Sequence, residues 1–231
     1  MKDPHTPPYD LIIFDCDGVL VDSEILACEA VIDCLGRYGI DVDFDTVFDR
    51  LLGRSSGAIG DYCALLGRPL SPDFYDDLRG SVRAAFAAAL KPMPGAATVL
   101  ENLRTPYCVA SSSSLDRMDY SLRLTGLSAL VGGRLFSAEM VRHSKPAPDL
   151  FLHVAAAMGA APGRTLVVED SVSGVRAGTA AGMTAWGFVG GSHYAARDGR
   201  ALLMAAGADR VFDRMADFHR REEGQLDRAV R

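Results

Sequence analysis

The sequence predicts an α/β fold, a doubly wound parallel sheet interrupted by one α-helical insertion, and three observations predict it. Apolar runs of strand length alternate with helical patterns from residue 95 onward, the order that builds a parallel sheet covered by helices on both faces. Two apolar runs, 11–14 and 165–168, end abruptly in acidic residues, at the carboxyl ends of strands where open parallel sheets gather their chemistry. Between the first run and the rest lies the stretch 23–90, which carries helical patterns and few strand signals.

Taken in order, Leu11-Ile12-Ile13-Phe14 reads as a fully buried strand, and Gly18 lets the backbone turn away beyond it. Asp22-Ser23-Glu24 reads as a linker and helix start, followed by helical stretches near 24–38, 45–52, 56–66 and 72–90. Lys91-Pro92-Met93-Pro94-Gly95 is the return, because two prolines cannot continue the preceding Ala-rich helix. The pattern then gives helix 96–103, strand 107–110, helix 115–124, a short strand near 134–137, helix 148–158 and strand 165–168. Helix 172–181, closed by Gly182, strand 183–188 and a short strand near 210–212 complete it. The expected organisation is a core domain from 1–22 and 91–231 with a cap domain from 23–90, and 220–231 as a charged, frayed tail.

Composition sets bounds on partners and compartment. With 231 residues, 48% hydrophobic and 23% charged, the chain has core material for one large domain plus a small insertion. A net charge of −6 and no basic stripe argue against nucleic acid. No apolar stretch has the length of a membrane helix, and residues 1–10 have no signal-peptide character, so no membrane partner is expected. Five cysteines without C-x-x-C spacing fit a reduced, cytoplasmic chain better than a disulfide framework. Cys16 reads as a small buried residue, Trp186 as core packing, and none of the five histidines (5, 143, 153, 193, 219) is assigned a role.

Four short segments carry candidate chemistry. In Asp15-Cys16-Asp17-Gly18 the two carboxylates sit two apart, so a strand's alternation points both the same way; alone, such a pair is also an ordinary turn-initiating cap. Ser111-Ser112-Ser113-Ser114 puts hydroxyls at a helix start, a place that suits a phosphate oxygen and equally a helix cap. Lys145 lies in the proline-stiffened loop Ser144-Lys145-Pro146-Ala147-Pro148, where a lone lysine would normally be a solvated charge. Glu169-Asp170 ends the second acidic strand. If both strand ends converge, four carboxylates crowd one pocket, which is untenable without a cation. Mg²⁺ suits carboxylate oxygens, water and phosphate, whereas zinc would need a His/Cys cluster this chain lacks.

Together these segments resemble the four motifs of the haloacid dehalogenase superfamily of phosphohydrolases, in order and across nearly the whole chain. The insertion after the first motif resembles the subgroup with a small helical cap, which includes phosphoglycolate phosphatases, sugar-phosphate phosphatases and β-phosphoglucomutases. The resemblance implies a Rossmann-like core and assigns roles. Asp15 is the implied nucleophile, forming an aspartyl phosphate; Asp17 is the acid/base. Ser111 and Lys145 are the implied phosphate-binding residues, with Lys145 shielding Asp15. Asp15, the backbone carbonyl of Asp17, Glu169 and Asp170 are the implied Mg²⁺ ligands. Ser112 is a candidate substrate contact. So is Arg54, in the small-residue loop Leu52-Gly53-Arg54-Ser55-Ser56-Gly57, although it reads equally as a solvated turn residue.

Asp17 disfavours carbon–halogen hydrolysis, since the dehalogenases lack an acid/base aspartate there. The absence of lysine from 23–90 disfavours phosphonate cleavage, which uses a cap lysine. A receiver domain fails on layout, having no helical insertion. A phosphosugar mutase remains the alternative, disfavoured because β-phosphoglucomutases carry a His early in the first cap helix and a basic residue soon after the second motif's serine. Here those regions read Leu26-Ala27-Cys28 and Ser112-Ser113-Ser114-Leu115. The expected partner is a small phosphorylated metabolite, and the expected state is a monomer, with a dimer as alternative.

Overall fold

The computed structural model describes residues 9–51 and 57–219. Arg54 and the 220–231 tail lie outside the described residues.

Six parallel strands form one sheet: β1 (Leu11–Phe14), β2 (Tyr107–Ser111), β3 (Leu135–Ser137), β4 (Thr165–Glu169), β5 (Thr184–Phe188) and β6 (Arg210–Phe212), in spatial order β3-β2-β1-β4-β5-β6. All four residues of β1 and all five of β4 are buried, as strands covered on both faces must be. Their alternation sorts side chains between two helical layers. Ile12, Phe14, Val109, Leu166 and Val168 face α5 (Ala96–Asn102), α6 (Leu115–Leu124) and α7 (Ser128–Val131). Leu11, Ile13, Cys108, Ala110 and Val167 face α8 (Asp149–Ala157) and α9 (Val172–Ala180), and Ala185 and Val211 extend that face onto α10 (Gly199–Ala205). Trp186 packs edge-on against Tyr9, Phe212 and Phe218, as its strand position predicts.

The insertion holds α1 (Glu24–Arg37), α2 (Phe44–Arg50), α3 (Gly57–Leu65) and α4 (Pro72–Ala89), with a hydrophobic cluster of their own that includes Cys28, Cys34, Leu35, Phe74 and Phe86. Its two connecting segments run side by side: Asp22 N–H donates to the Lys91 carbonyl at 3.0 Å and Met93 N–H to the Leu20 carbonyl at 2.8 Å. All five cysteines are free and buried. Among the described residues no helix is long and apolar enough to cross a membrane.

Two helices were not anticipated. α7 is a single turn of four residues, too short to show a 3.6-residue period. α10 lies in 189–209, to which the sequence reading assigned no element; Asp198 caps its start by accepting from the Ala201 N–H at 3.0 Å.

Candidate active site

The site stands beyond the carboxyl ends of β1, β2 and β4, at the centre of the sheet, where β1's two neighbours lead off in opposite directions. Strand register assembles it. Phe14 is level with Val168 and Val109, and the Asp15 N–H continues the ladder by donating to the Val168 carbonyl at 2.9 Å, so Asp15 emerges beside Glu169 and Ala110. Gly18 then turns the chain at φ +72°. A Cβ there would lie 1.8 Å from Asp170 Oδ2, so only glycine permits both the turn and this approach.

Lys145 is buried rather than solvated. Its ammonium donates to Asp15 Oδ1 at 2.6 Å, to Glu169 Oε1 at 2.5 Å and to the Ala110 carbonyl at 3.2 Å. Burial opposes the charge, but Asp15 and Glu169 outweigh it and hold the ammonium above its usual range. Burial pushes the Asp15 carboxyl well up; Lys145 pulls against this, while Glu169, Asp170 and Asp17 add to it. Asp170 is raised likewise, by burial and then by Glu169.

Asp17 behaves differently because its oxygens are fully engaged. Oδ1 accepts from Ser23 Oγ at 2.8 Å and Arg117 Nη2 at 3.0 Å; Oδ2 accepts from Ser113 Oγ at 2.7 Å and Ser111 Oγ at 3.2 Å. Burial alone would raise this carboxyl, but the Arg117 guanidinium and the hydroxyls of Ser113 and Ser23 outweigh it and hold it below the usual range. Ser111 thus touches Asp17, while Ser112 Oγ, on the wall of the same cavity, has no hydrogen-bond partner. Cys16 is packed in the core, its thiol pushed up by burial and then by its two acidic neighbours, as expected of a structural residue.

The cavity above these groups measures about 720 Å³ and lies between sheet and insertion. Its floor includes Asp15, Asp17, Ser111, Lys145 and Asp170; α1 contributes Glu24, and α4 contributes Arg79, Arg83 and Phe86.

Three residues at this site escaped the sequence reading. Arg117 lies in the first turn of α6, where the helix dipole disfavours a cation, and that misfit was a legible sign of another purpose. Glu24 stands at what the sequence presents as an ordinary helix start but is only 5% exposed, and burial followed by the charges of Asp170 and Asp17 raises its carboxyl well up. His193, assigned no role, is buried with Nε2 3.1 Å from Asp170 Oδ2, and burial holds its imidazole below the usual range. Nothing local to the sequence signals that contact.

Among the described residues no three Asp, Glu, His or Cys side chains converge as a ready-made metal ligand set. Glu169 in particular has both oxygens occupied, Oε1 by Lys145 and Oε2 by the Ser171 N–H at 3.1 Å and hydroxyl at 2.9 Å. The charge balance nevertheless fits a hard divalent cation. Asp15, Asp17, Glu24, Glu169 and Asp170 are all buried; among the described residues Lys145 and Arg117 are the lysine and arginine side chains paired with them, with His193 beside Asp170, and Mg²⁺ takes few protein carboxylates, completing its shell with water and phosphate.

The sequence matches the haloacid dehalogenase-like hydrolase family over residues 9–182. It is 31% identical over 189 residues to 6-phosphogluconate phosphatase of Escherichia coli, covering 80% of this chain and 84% of that one. Among solved structures, a conserved haloacid dehalogenase-like protein of Agrobacterium tumefaciens aligns at 36% identity and TM-score 0.74, covering 91% of this chain and 96% of the other. A family hydrolase of Deinococcus radiodurans, solved with bound phosphate and sodium, aligns at 34% identity and TM-score 0.72, covering 91% and 93%. With strand order, acid-ended strands and family match in agreement, this chain belongs to the haloacid dehalogenase-like hydrolases and is a phosphoric monoester hydrolase.

Proposed function

We propose that this enzyme is a Mg²⁺-dependent phosphatase of a small organic monophosphate, a sugar phosphate, sugar-acid phosphate or phosphoglycolate, acting through an aspartyl phosphate on Asp15. The observation that carries the reading is the meeting of Asp15, Asp17, Ser111, Lys145 and Asp170, drawn from four separate segments, on the floor of one cavity. The relative that acts on 6-phosphogluconate and the relative solved with phosphate bound support the substrate class. We assign 1–22 and 91–231 to a core domain that handles the phosphoryl group and 23–90 to a cap that meets the leaving group; the separate hydrophobic cluster of α1–α4 supports that division. Five free buried thiols support a reducing, cytoplasmic setting.

Asp15 Oδ attacks phosphorus, the bond from phosphorus to the leaving oxygen breaks, and Asp17 gives that oxygen a proton. Asp17 then takes a proton from water, which attacks phosphorus and frees Asp15 as phosphate departs. Lys145 holds Asp15 in place and offsets the repulsion between carboxylate and phosphate. Ser111 and Ser112 face the phosphate as hydroxyl donors. Asp15, the Asp17 carbonyl and Asp170 would hold Mg²⁺, which neutralises phosphate charge when bound, and Glu169 would join them only on giving up Lys145 or Ser171, which occupy its two oxygens. To protonate the leaving oxygen, Asp17 must first give up Arg117, which occupies Oδ1.

Phosphate release from a panel of metabolite monophosphates is the direct test. Excess chelator is expected to abolish release and Mg²⁺ to restore it; full activity in chelator, with no metal retained, would remove the mechanism.

A mutase reading keeps one observation in its favour. The segment 112–115 holds no basic residue, but Arg117, just beyond it, reaches the acid/base carboxylate, so the argument from a missing basic group does not stand. The other half does, since Ala27 and Cys28 line the cavity with no imidazole. β-Glucose 1-phosphate, if accepted, is expected to yield glucose and phosphate. Conversion to glucose 6-phosphate without stoichiometric phosphate release, dependent on a bisphosphate activator, would install the mutase.

A further inference from the structure

The short turn Ser192–Tyr194 lies on the core side of the site, where the chemistry assigned above uses none of its residues, yet it grips Asp170 twice. Tyr194 Oη donates to the Asp170 carbonyl at 2.5 Å, and His193 Nε2 lies 3.1 Å from Asp170 Oδ2. The imidazole is set in a slot shaped for it. A Cβ on Gly191 would fall 2.5 Å from its Cε1, and one on Gly18 would fall 3.1 Å from the same atom. Tyr194 packs on the ring at 4.3 Å and Phe48, from α2 of the insertion, at 5.8 Å, while Ser192 N–H and Oγ fasten the turn to Asp22 Oδ1 at 3.0 and 2.8 Å.

A position that served packing alone would be filled better by an apolar ring. Here the side chain is 1% exposed and Nδ1 has no hydrogen-bond partner, while Nε2 lies within ion-pair distance of Asp170, so the buried ring turns its polar edge toward that carboxylate. Carboxylates that ligate metals are themselves commonly held by such outer contacts, which fix their orientation.

We propose that His193 is a positioning residue that donates from Nε2 to Asp170 and so orients this carboxylate toward the divalent cation. The inference rests on the metal reading of the site given above. His193 does not touch substrate; it acts through Asp170.

Mn²⁺, which shares the preference of Mg²⁺ for carboxylate and water oxygens, is the probe, and its binding to the full chain is read by electron paramagnetic resonance with no substrate present. His193→Phe keeps a ring against Phe48 but removes the donor; His193→Gln places an amide N–H where Nε2 stood. The phenylalanine variant is expected to bind Mn²⁺ about 10–100-fold more weakly than wild type, and the glutamine variant to recover most of that loss, with similar melting temperatures for the two. His193→Leu, which also lacks the donor, replaces the phenylalanine variant if that one does not fold. Wild-type affinity in the donor-free variant would overturn the proposal while leaving the metal reading intact. Equal weakening in all variants, in step with lowered melting temperatures, would reduce His193 to a structural role. Absence of Mn²⁺ binding to the wild-type chain would instead overturn the metal reading and this proposal with it.

Discussion

Asp15→Asn is expected to abolish phosphate release, by a factor on the order of 10⁶, the scale of losing a covalent nucleophile, and to leave no acid-trappable phosphoenzyme. The fold should survive, because an amide in the same place still accepts from Lys145, and loses only the charge that burial and its acidic neighbours already disfavour. Asp17→Asn should behave otherwise. Losing a proton donor costs about 10²–10⁴-fold, and the loss should be greatest for alkyl phosphates, whose leaving oxygens need the proton, and smallest for aryl phosphates, whose leaving groups depart without it. Equal losses on both substrate types would make Asp17 mainly structural, a role its four hydroxyl and guanidinium contacts could fill. A labelled phosphoenzyme in Asp15→Asn would remove Asp15 as the nucleophile.

The second large effect is expected at Lys145, and it should appear in stability as well as rate. Its ammonium is the buried cation joining Asp15 to Glu169, with all three side chains at most 8% exposed. Lys145→Met keeps much of the volume but leaves two buried carboxylates without their partner, a change that typically costs roughly 3–5 kcal/mol. For a chain of this size each kcal/mol lowers the melting temperature by about 2–4 °C, so a fall on the order of 10 °C is expected in a thermal melt. Phosphate release should fall further, by about 10²–10³-fold, as expected on removing a fixed donor from a site that handles developing negative charge. A melting temperature within about a degree of wild type would show that Lys145 does not carry the charge balance of the site.

The sequence by itself determined the fold class, the order of the strands along the chain, the position of the helical insertion and the four segments that meet at the site. These are local properties. Strand-length apolar runs ending in acids, helical periods and two prolines after an Ala-rich stretch are written within a few residues of each other. Asp15, Ser111, Lys145 and Asp170 could therefore be picked out in advance, since each sits at a strand end or in a stiffened loop whose place in a parallel sheet is known from topology.

What only the tertiary structure decided is how those groups are partnered. Whether Lys145 is solvated or buried depends on Asp15, 130 residues away, and on Glu169. Arg117 reaches Asp17 across 100 residues, and the Ser192 turn, with His193 beside Asp170, ties back to Asp22 across 170. Such contacts leave no periodic trace, because they are made by single side chains projecting from loops and helix ends once the sheet has set their positions. The protonation of each acid follows from the same cause. Asp15 and Asp17 are two residues apart on one strand end, yet the first is pushed up by burial and neighbouring carboxylates while the second is held down by Arg117 and two hydroxyls. Nothing in Asp-Cys-Asp-Gly distinguishes them; packing of distant segments around each carboxylate does.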